Sequence, residues 1–277
     1  MNKVIIVAIL GAIAGLETQA ANYITVDFSS GYTIGNLAGL TQNAAGQNDW
    51  KQTSTSAATP IQVNASGQAV IGSSGQDIYK AFTSSISKVD GSSFYLKARF
   101  AVTETTTTGD YFLHVTPTAG DSSNLFGRIG AKLLTAGSSQ YVLGIQSTSG
   151  TGGAMTYGST LLNKNTFYDV VLEWNAVAGT INDTFNLFVN PLTDVRSNLT
   201  SYVSANWLSA SAEPTTFAAV NLRQGTAGNT TTALISSISA GNTLGDVGVV
   251  PEPSTSGLLI FGVAALLGVR SFRRMQS

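Results

Sequence analysis

Hydrophobic and polar side chains alternate with a period of two over much of the middle of the chain. In residues 94–102, Phe94, Leu96, Ala98, Phe100 and Val102 fall on one side, with Lys97 and Arg99 on the other. Side chains of a strand point alternately to its two faces, so this pattern predicts a half-buried strand. A polar turn at Thr105–Asp110 and a run over 111–116 then predict an antiparallel hairpin partner, with Tyr111, Leu113 and Val115 pointing inward. Further strands are expected at 125–133 and 140–146. The clearest pair follows. Tyr168, Val170, Leu172 and Trp174 alternate with Asp169, Val171, Glu173 and Asn175, and after a turn at 178–182 come Phe185, Leu187 and Val189. Pro191 ends that strand, because proline brings no N–H to a ladder. Strands at 217–223 and 233–239 complete the reading. Short strands, Gly-rich turns and no segment of helical period predict an all-β fold, an antiparallel β-sandwich or jelly roll.

The two ends break this pattern. Lys3, an apolar stretch over 4–16 and Thr18-Gln19-Ala20 have the order of a secretory signal peptide, with cleavage expected after Ala20 or Ala21 by signal peptidase. At the other end Pro251-Glu252-Pro253 precedes an apolar run over 257–269 and then Arg270, Arg273 and Arg274. A run of roughly 13 apolar residues without a polar face suits a short transmembrane stop whose basic end stays inside. Motif, apolar span and basic end together resemble the PEP-CTERM signal, by which exosortase systems sort surface and exopolysaccharide-associated proteins. The resemblance implies an exosortase-type processing partner and an exported precursor anchored in the inner membrane. The mature protein would then reach the cell surface or extracellular matrix.

Processing would divide the chain into a signal peptide (1–20), a β-sandwich (21–247) and a sorting tail (248–277). A second resemblance concerns the sandwich. Phe126-Gly127-Arg128-Ile129-Gly130, Tyr141 to Ile145, Val170 to Trp174, Asn182 to Pro191 and Asn221 to Gly225 follow the order of concanavalin-like, laminin-G-like jelly rolls. Where many such domains carry an acid after the first Ile of the final strand, this chain has Ile235-Ser236-Ser237-Ile238. No role of that acid carries over.

Composition narrows the chemistry. The chain is 10% charged with a formal net charge of −1, which argues against nucleic acid and disfavours polyanions generally. It has no cysteine and one histidine, His114, so disulfides, cysteine-ligated metals and multi-histidine sites are excluded, and a histidine triad has one candidate at most. His114 alternates with Leu113 and Val115 and is expected at the surface or rim. Asp169 and Glu173 share a strand face, but four residues of rise separate them by about 13 Å, beyond the roughly 5–9.5 Å of paired glycosidase carboxylates. They read as solvated strand residues. Asp110, Asp121, Asn124, Asp183 and Asp194 lie near turns; calcium has no supporting motif among them, and turn capping is their expected role. Trp50, Tyr95, Tyr157 and Trp207 are the candidates for stacking on sugars. The sequence therefore points to an exported, non-catalytic envelope or matrix protein without cofactors, structural or weakly carbohydrate-binding. A carbohydrate-active enzyme or a calcium-assisted lectin on the same fold are the alternatives.

Overall fold

The computed structural model describes residues 22–38, 49–53, 59–147, 154–207, 213–225 and 231–249. Two antiparallel sheets pack face to face. One has nine strands in the order β15-β14-β13-β7-β17-β5-β4-β2, with β1 also paired to β17. Its strands are β1 (Ile24–Asp27), β2 (Gly35–Asn36), β4 (Gln62–Val63), β5 (Ala69–Ile71), β7 (Ser93–Glu104), β13 (Tyr168–Asn175), β14 (Thr184–Val189), β15 (Val203–Asn206) and β17 (Thr232–Gly241). The other has eight, in the order β11-β10-β9-β8-β16-β6-β3, with β12 also paired to β10. These are β3 (Trp50–Gln52), β6 (Ile78–Ser87), β8 (Asp110–Thr116), β9 (Phe126–Lys132), β10 (Gln140–Gln146), β11 (Thr156–Tyr157), β12 (Leu162–Asn163) and β16 (Thr216–Leu222). The jelly-roll sandwich expected from the alternation is present.

The core lies between the sheets and takes the predicted side of β7 and β13. Phe94, Leu96, Ala98, Phe100 and Val102 from β7 and Val170, Leu172 and Trp174 from β13 are all buried there. Trp174 packs edge-on to Phe217 of the opposite sheet, with ring centroids 4.5 Å apart. Its indole N–H donates to Asp183 at 2.9 Å. The β13–β14 hairpin also forms as read, with Val170 opposite Val189 and Trp174 opposite Phe185.

Two expectations fail, for one reason. β7 and β8 do not form a hairpin: β7 pairs with β13 and β17, β8 with β9 and β16, so the turn between them carries the chain from one sheet to the other. Close sequence spacing cannot distinguish a hairpin from such a crossing, because both bury the same alternate residues. Tyr111 is not inward. The β8–β9 register shifts between Tyr111 and Leu113, so Phe112 and Leu113 both enter the core while Tyr111 turns to the outer face.

The outer face of the nine-stranded sheet has a small core of its own. Residues 242–249 fold back after β17 and bury Leu244, Val247 and Val249 against Tyr95, Val171 and Phe188. This cover explains why Val171, on the nominally polar side of β13, is fully buried.

Candidate functional site

The outer face of the eight-stranded sheet carries a polar row running across its strands. Cross-strand partners share a face, so register alone assembles it: Lys51 opposite Tyr79, Tyr79 opposite Asn221, and Asn221 opposite His114. Arg128 and Gln146 continue the row beyond β8. A bulge places Arg128. Two residues of β9, Gly127 and Arg128, lie between the pairs Leu113–Ile129 and Val115–Phe126, so Phe126 and Ile129 both point inward and Arg128 points out. Gly127 makes this turn at φ +54°, and a β-carbon there would stand 2.8 Å from Leu172.

Above the row, Tyr111 lies between two guanidinium groups, Arg128 at 4.7 Å and Arg223 at 4.1 Å from its ring centroid. Its ring meets His114 edge-on at 5.6 Å. Arg223 is also ion-paired with Asp110 at 2.8 Å, and Arg128 donates to Gln146 at 3.2 Å. Beneath this layer His114 is 4% exposed, which corrects the expectation of a surface or rim residue. It does face away from the core, but the Tyr111 and arginine layer closes over it. Burial first, then Arg128 and Arg223, hold its pKa down at about 3, so the ring is neutral. Asp77, whose Oδ1 accepts the Gln224 N–H, is pushed above the usual carboxylate range by burial, with Asp110 adding to the shift. Three buried polar atoms of the row, His114 Nδ1, Arg128 Nε and Asn221 Oδ1, have no hydrogen-bond partner. Buried polar groups are nearly always paired, so three orphans on one face mark it as unusual.

At the β3 end the row opens into a cleft of about 550 Å³ lined by Tyr23, Asp49, Lys51 and Tyr79. At the β9–β10 end, Gly144 gives room for Tyr157, whose ring carbon would stand 2.6 Å from a β-carbon there. Lys132 Nζ sits 4.2 Å over the Tyr157 ring.

Of the aromatic candidates, Tyr157 alone reaches this face. Trp50 is core, 2% exposed, packed on Phe28 and donating to Tyr32. Trp207 is buried against Phe126. Tyr95 is buried under residues 242–249, where its hydroxyl donates to Glu173 and burial pushes its pKa up to about 12. These three cannot offer a ring to a sugar. Tyr95 falls on the polar side of the β7 alternation and is buried because residues 242–249 cover that face.

The acids also separate. Asp169 pairs with Lys97 and Arg99. Glu173 is not solvated: it is 2% exposed and receives Arg196 Nε at 2.6 Å, Asn186 Nδ2 at 2.8 Å and the Tyr95 hydroxyl. Asp183 is fully buried, bound to Lys88 as well as to Trp174, and Asp121 caps its own turn through Ser123 and Asn124. No group of three or more His, Cys, Asp or Glu able to hold a metal occurs among the described residues. Tyr79, Tyr111, Arg128, Asn221 and Arg223 had no signal in spacing. A glycine opposite a glycine, Gly130 to Gly144, was the one local hint that something crosses this face.

Signal cleavage at Ala20 or Ala21, the motif Pro251-Glu252-Pro253 and the basic end Arg270, Arg273 and Arg274 lie outside the described residues. Val249, the last described residue, is packed on the nine-stranded sheet, so the tail leaves from a held point. Residues 249–274 match the PEP-CTERM protein-sorting motif. The PEP-CTERM match implies an exported, membrane-anchored precursor and processing by an exosortase-type system. Among the described residues no helix is long and apolar enough to cross a membrane.

No curated protein matches the chain. Solved structures resemble the sandwich. The CBM2 module of the evolved Dit of Lactobacillus casei BL23 phage J-1 aligns at 12% identity and TM-score 0.42, covering 81% of this chain and 96% of that one. The carbohydrate recognition domain of Emp47p aligns at 12% identity and TM-score 0.41 over 77% and 96%. The binding domain of botulinum neurotoxin serotype D aligns at 11% identity and TM-score 0.40 over 87% and 52%. The jelly-roll assignment rests on the strand pairing above, and these likenesses add no ligand to it.

Proposed function

We propose that this is an envelope or extracellular-matrix protein whose sandwich binds a carbohydrate chain across the outer face of the eight-stranded sheet. Signal peptidase and an exosortase-type enzyme would process its two ends, and the tail would anchor the precursor in the inner membrane by its apolar span. An exopolysaccharide of the cell surface is the partner this placement favours. One observation carries the reading: tyrosine rings and arginines line one sheet face, above buried polar groups that lack a partner, and lead into a cleft. Hydroxyl-rich ligands bind through such a mix of ring faces and fixed polar groups. The opposite sheet is partly covered on its outer side by residues 242–249, over Tyr95, Val171 and Phe188. Retention of the full-length protein on insoluble polysaccharides tests this. Tyr79→Ala should lower retention severalfold and Ser204→Ala, on the other sheet, should not; equal retention of all three proteins overturns the site.

A second reading has its own support. Asp77, just before β6, and Asp110, at the start of β8, act on one another beside Arg223, with Asp77 displaced toward the protonated form. A carboxylate held toward its protonated form is what a general acid would need. Release of reducing ends from β-glucan, xylan or alginate-like polymers, lost in Asp77→Asn or Asp110→Asn, would establish an enzyme. Without such release the binding reading stands.

A further inference from the structure

Every described lysine and arginine except three has a carboxylate within the 4.0 Å ion-pair distance. The exceptions, Lys51, Arg128 and Lys132, all lie on the outer face of the eight-stranded sheet: each follows or precedes a core residue on β3 or β9, namely Trp50, Ile129 and Ala131. The segments 39–48, 54–58, 148–153, 208–212 and 226–230 contain no acidic residue that could neutralise them. Among the described residues the cations elsewhere are paired with carboxylates, and those without one lie on the face proposed to bind carbohydrate. Net charge conceals this sorting.

We infer that the ligand of this face is an acidic polysaccharide, with sugar carboxylates held by Arg128 and flanked by Lys51 and Lys132. The inference rests on the carbohydrate reading above. Arg128 is the centre of the site. Its guanidinium has only the neutral Gln146 as a side-chain acceptor, and its buried Nε has none. A guanidinium whose only side-chain acceptor is a neutral amide retains N–H donors that suit a carboxylate. Polysaccharide is favoured over nucleic acid by spacing. Four strand steps separate Lys51 from Arg128, about 19 Å, and four residues of β9 separate Arg128 from Lys132, about 13 Å. Tyr79 stands in the first interval as a neutral, partly exposed hydroxyl-bearing ring, above the buried Asn221 and His114. That suits hydroxyls punctuated by carboxylates, whereas duplex phosphates present a charge every few ångströms.

The test is affinity electrophoresis of the full-length protein in neutral detergent against polygalacturonate, methyl-esterified polygalacturonate and duplex DNA. The free-acid polymer should bind more tightly than its ester and lose affinity with added salt. Arg128→Gln should weaken it about tenfold, and Lys51→Gln/Lys132→Gln should weaken it further, whereas Arg99→Gln should leave it unchanged. The double lysine variant touches no core residue and keeps the test open should Arg128→Gln fail to fold. Equal binding of acid and ester, unaffected by these substitutions, overturns the acidic ligand while sparing the carbohydrate reading. Binding of neither polymer overturns both. Stronger binding of DNA overturns the polysaccharide in favour of nucleic acid.

Discussion

Two buried side chains define what single residues contribute here. Trp174 fills the space between the sheets and also supplies the N–H that Asp183 accepts, so Trp174→Ala removes a large volume and leaves a buried carboxylate short of a donor. A loss of about 3–5 kcal/mol is expected in a urea melt, and less than about 1 kcal/mol would contradict the packing. His114 acts through protonation. The unfolded chain binds a proton below the ordinary value of 6.5, while the folded one, held at about 3, does not. The unfolded state therefore carries more protons between these values, and stability falls as pH is lowered through that window. Between pH 7 and pH 4.5 this amounts to about 2–3 kcal/mol. His114→Gln should show a correspondingly flatter pH dependence; identical profiles of the two proteins would mean that His114 titrates freely.

At the scale of the element, the bulge in β9 links packing to the face it serves. Gly127→Ala combines an unfavourable backbone angle with a β-carbon pressed onto Leu172 and Phe185. The expected cost is about 2–4 kcal/mol, measured by denaturant unfolding. Relaxing the bulge would also swing Arg128 toward the core side, so polymer binding should fall along with stability. Unchanged stability would show that the strand accommodates a regular register. The Lys88 junction is a second such element. Lys88 bridges Asp183 at 2.8 Å and Glu213 at 2.7 Å, both nearly without solvent. Lys88→Ala strands two buried carboxylates and should cost about 3–5 kcal/mol; a double replacement with Asp183→Asn should recover part of that loss.

For the whole molecule the decisive relation is between the sandwich and its tail. Val249, the last described residue, is 3% exposed and packed on the nine-stranded sheet, and Pro251 follows two positions later in the sequence. Recognition and retention in the membrane should be separable. Replacing Pro251, Glu252 and Pro253 with alanine should leave an unprocessed precursor in the membrane fraction. Removing residues 257–277 should instead release the domain to the periplasm or medium. A triple-alanine variant that matures and localises normally would reduce the tail to a plain anchor, as cell fractionation with mass spectrometry of the mature C-terminus would reveal.

The alternation of β7, β13 and β14 and the order of the tail were legible in the sequence because they depend on neighbours a few positions apart. One side of a strand must leave water, and the order of motif, apolar run and arginines is a local pattern, matched as a sorting motif over residues 249–274. β1 to β6 left little trace, since several are only two or three residues long and β6 buries few of its positions. What the tertiary structure decided is everything that depends on a second layer. Cover by residues 242–249 buried Tyr95, Arg196 and Asn186 bound the buried Glu173, and two register shifts exchanged Tyr111 for Phe112 and aimed Arg128 outward. Cross-strand register then brought Lys51, Asn221, His114 and Arg128 onto one face from four separate stretches of chain. Charge followed the same rule: the sequence determines its sum, but which cations find a carboxylate depends on which strands become neighbours.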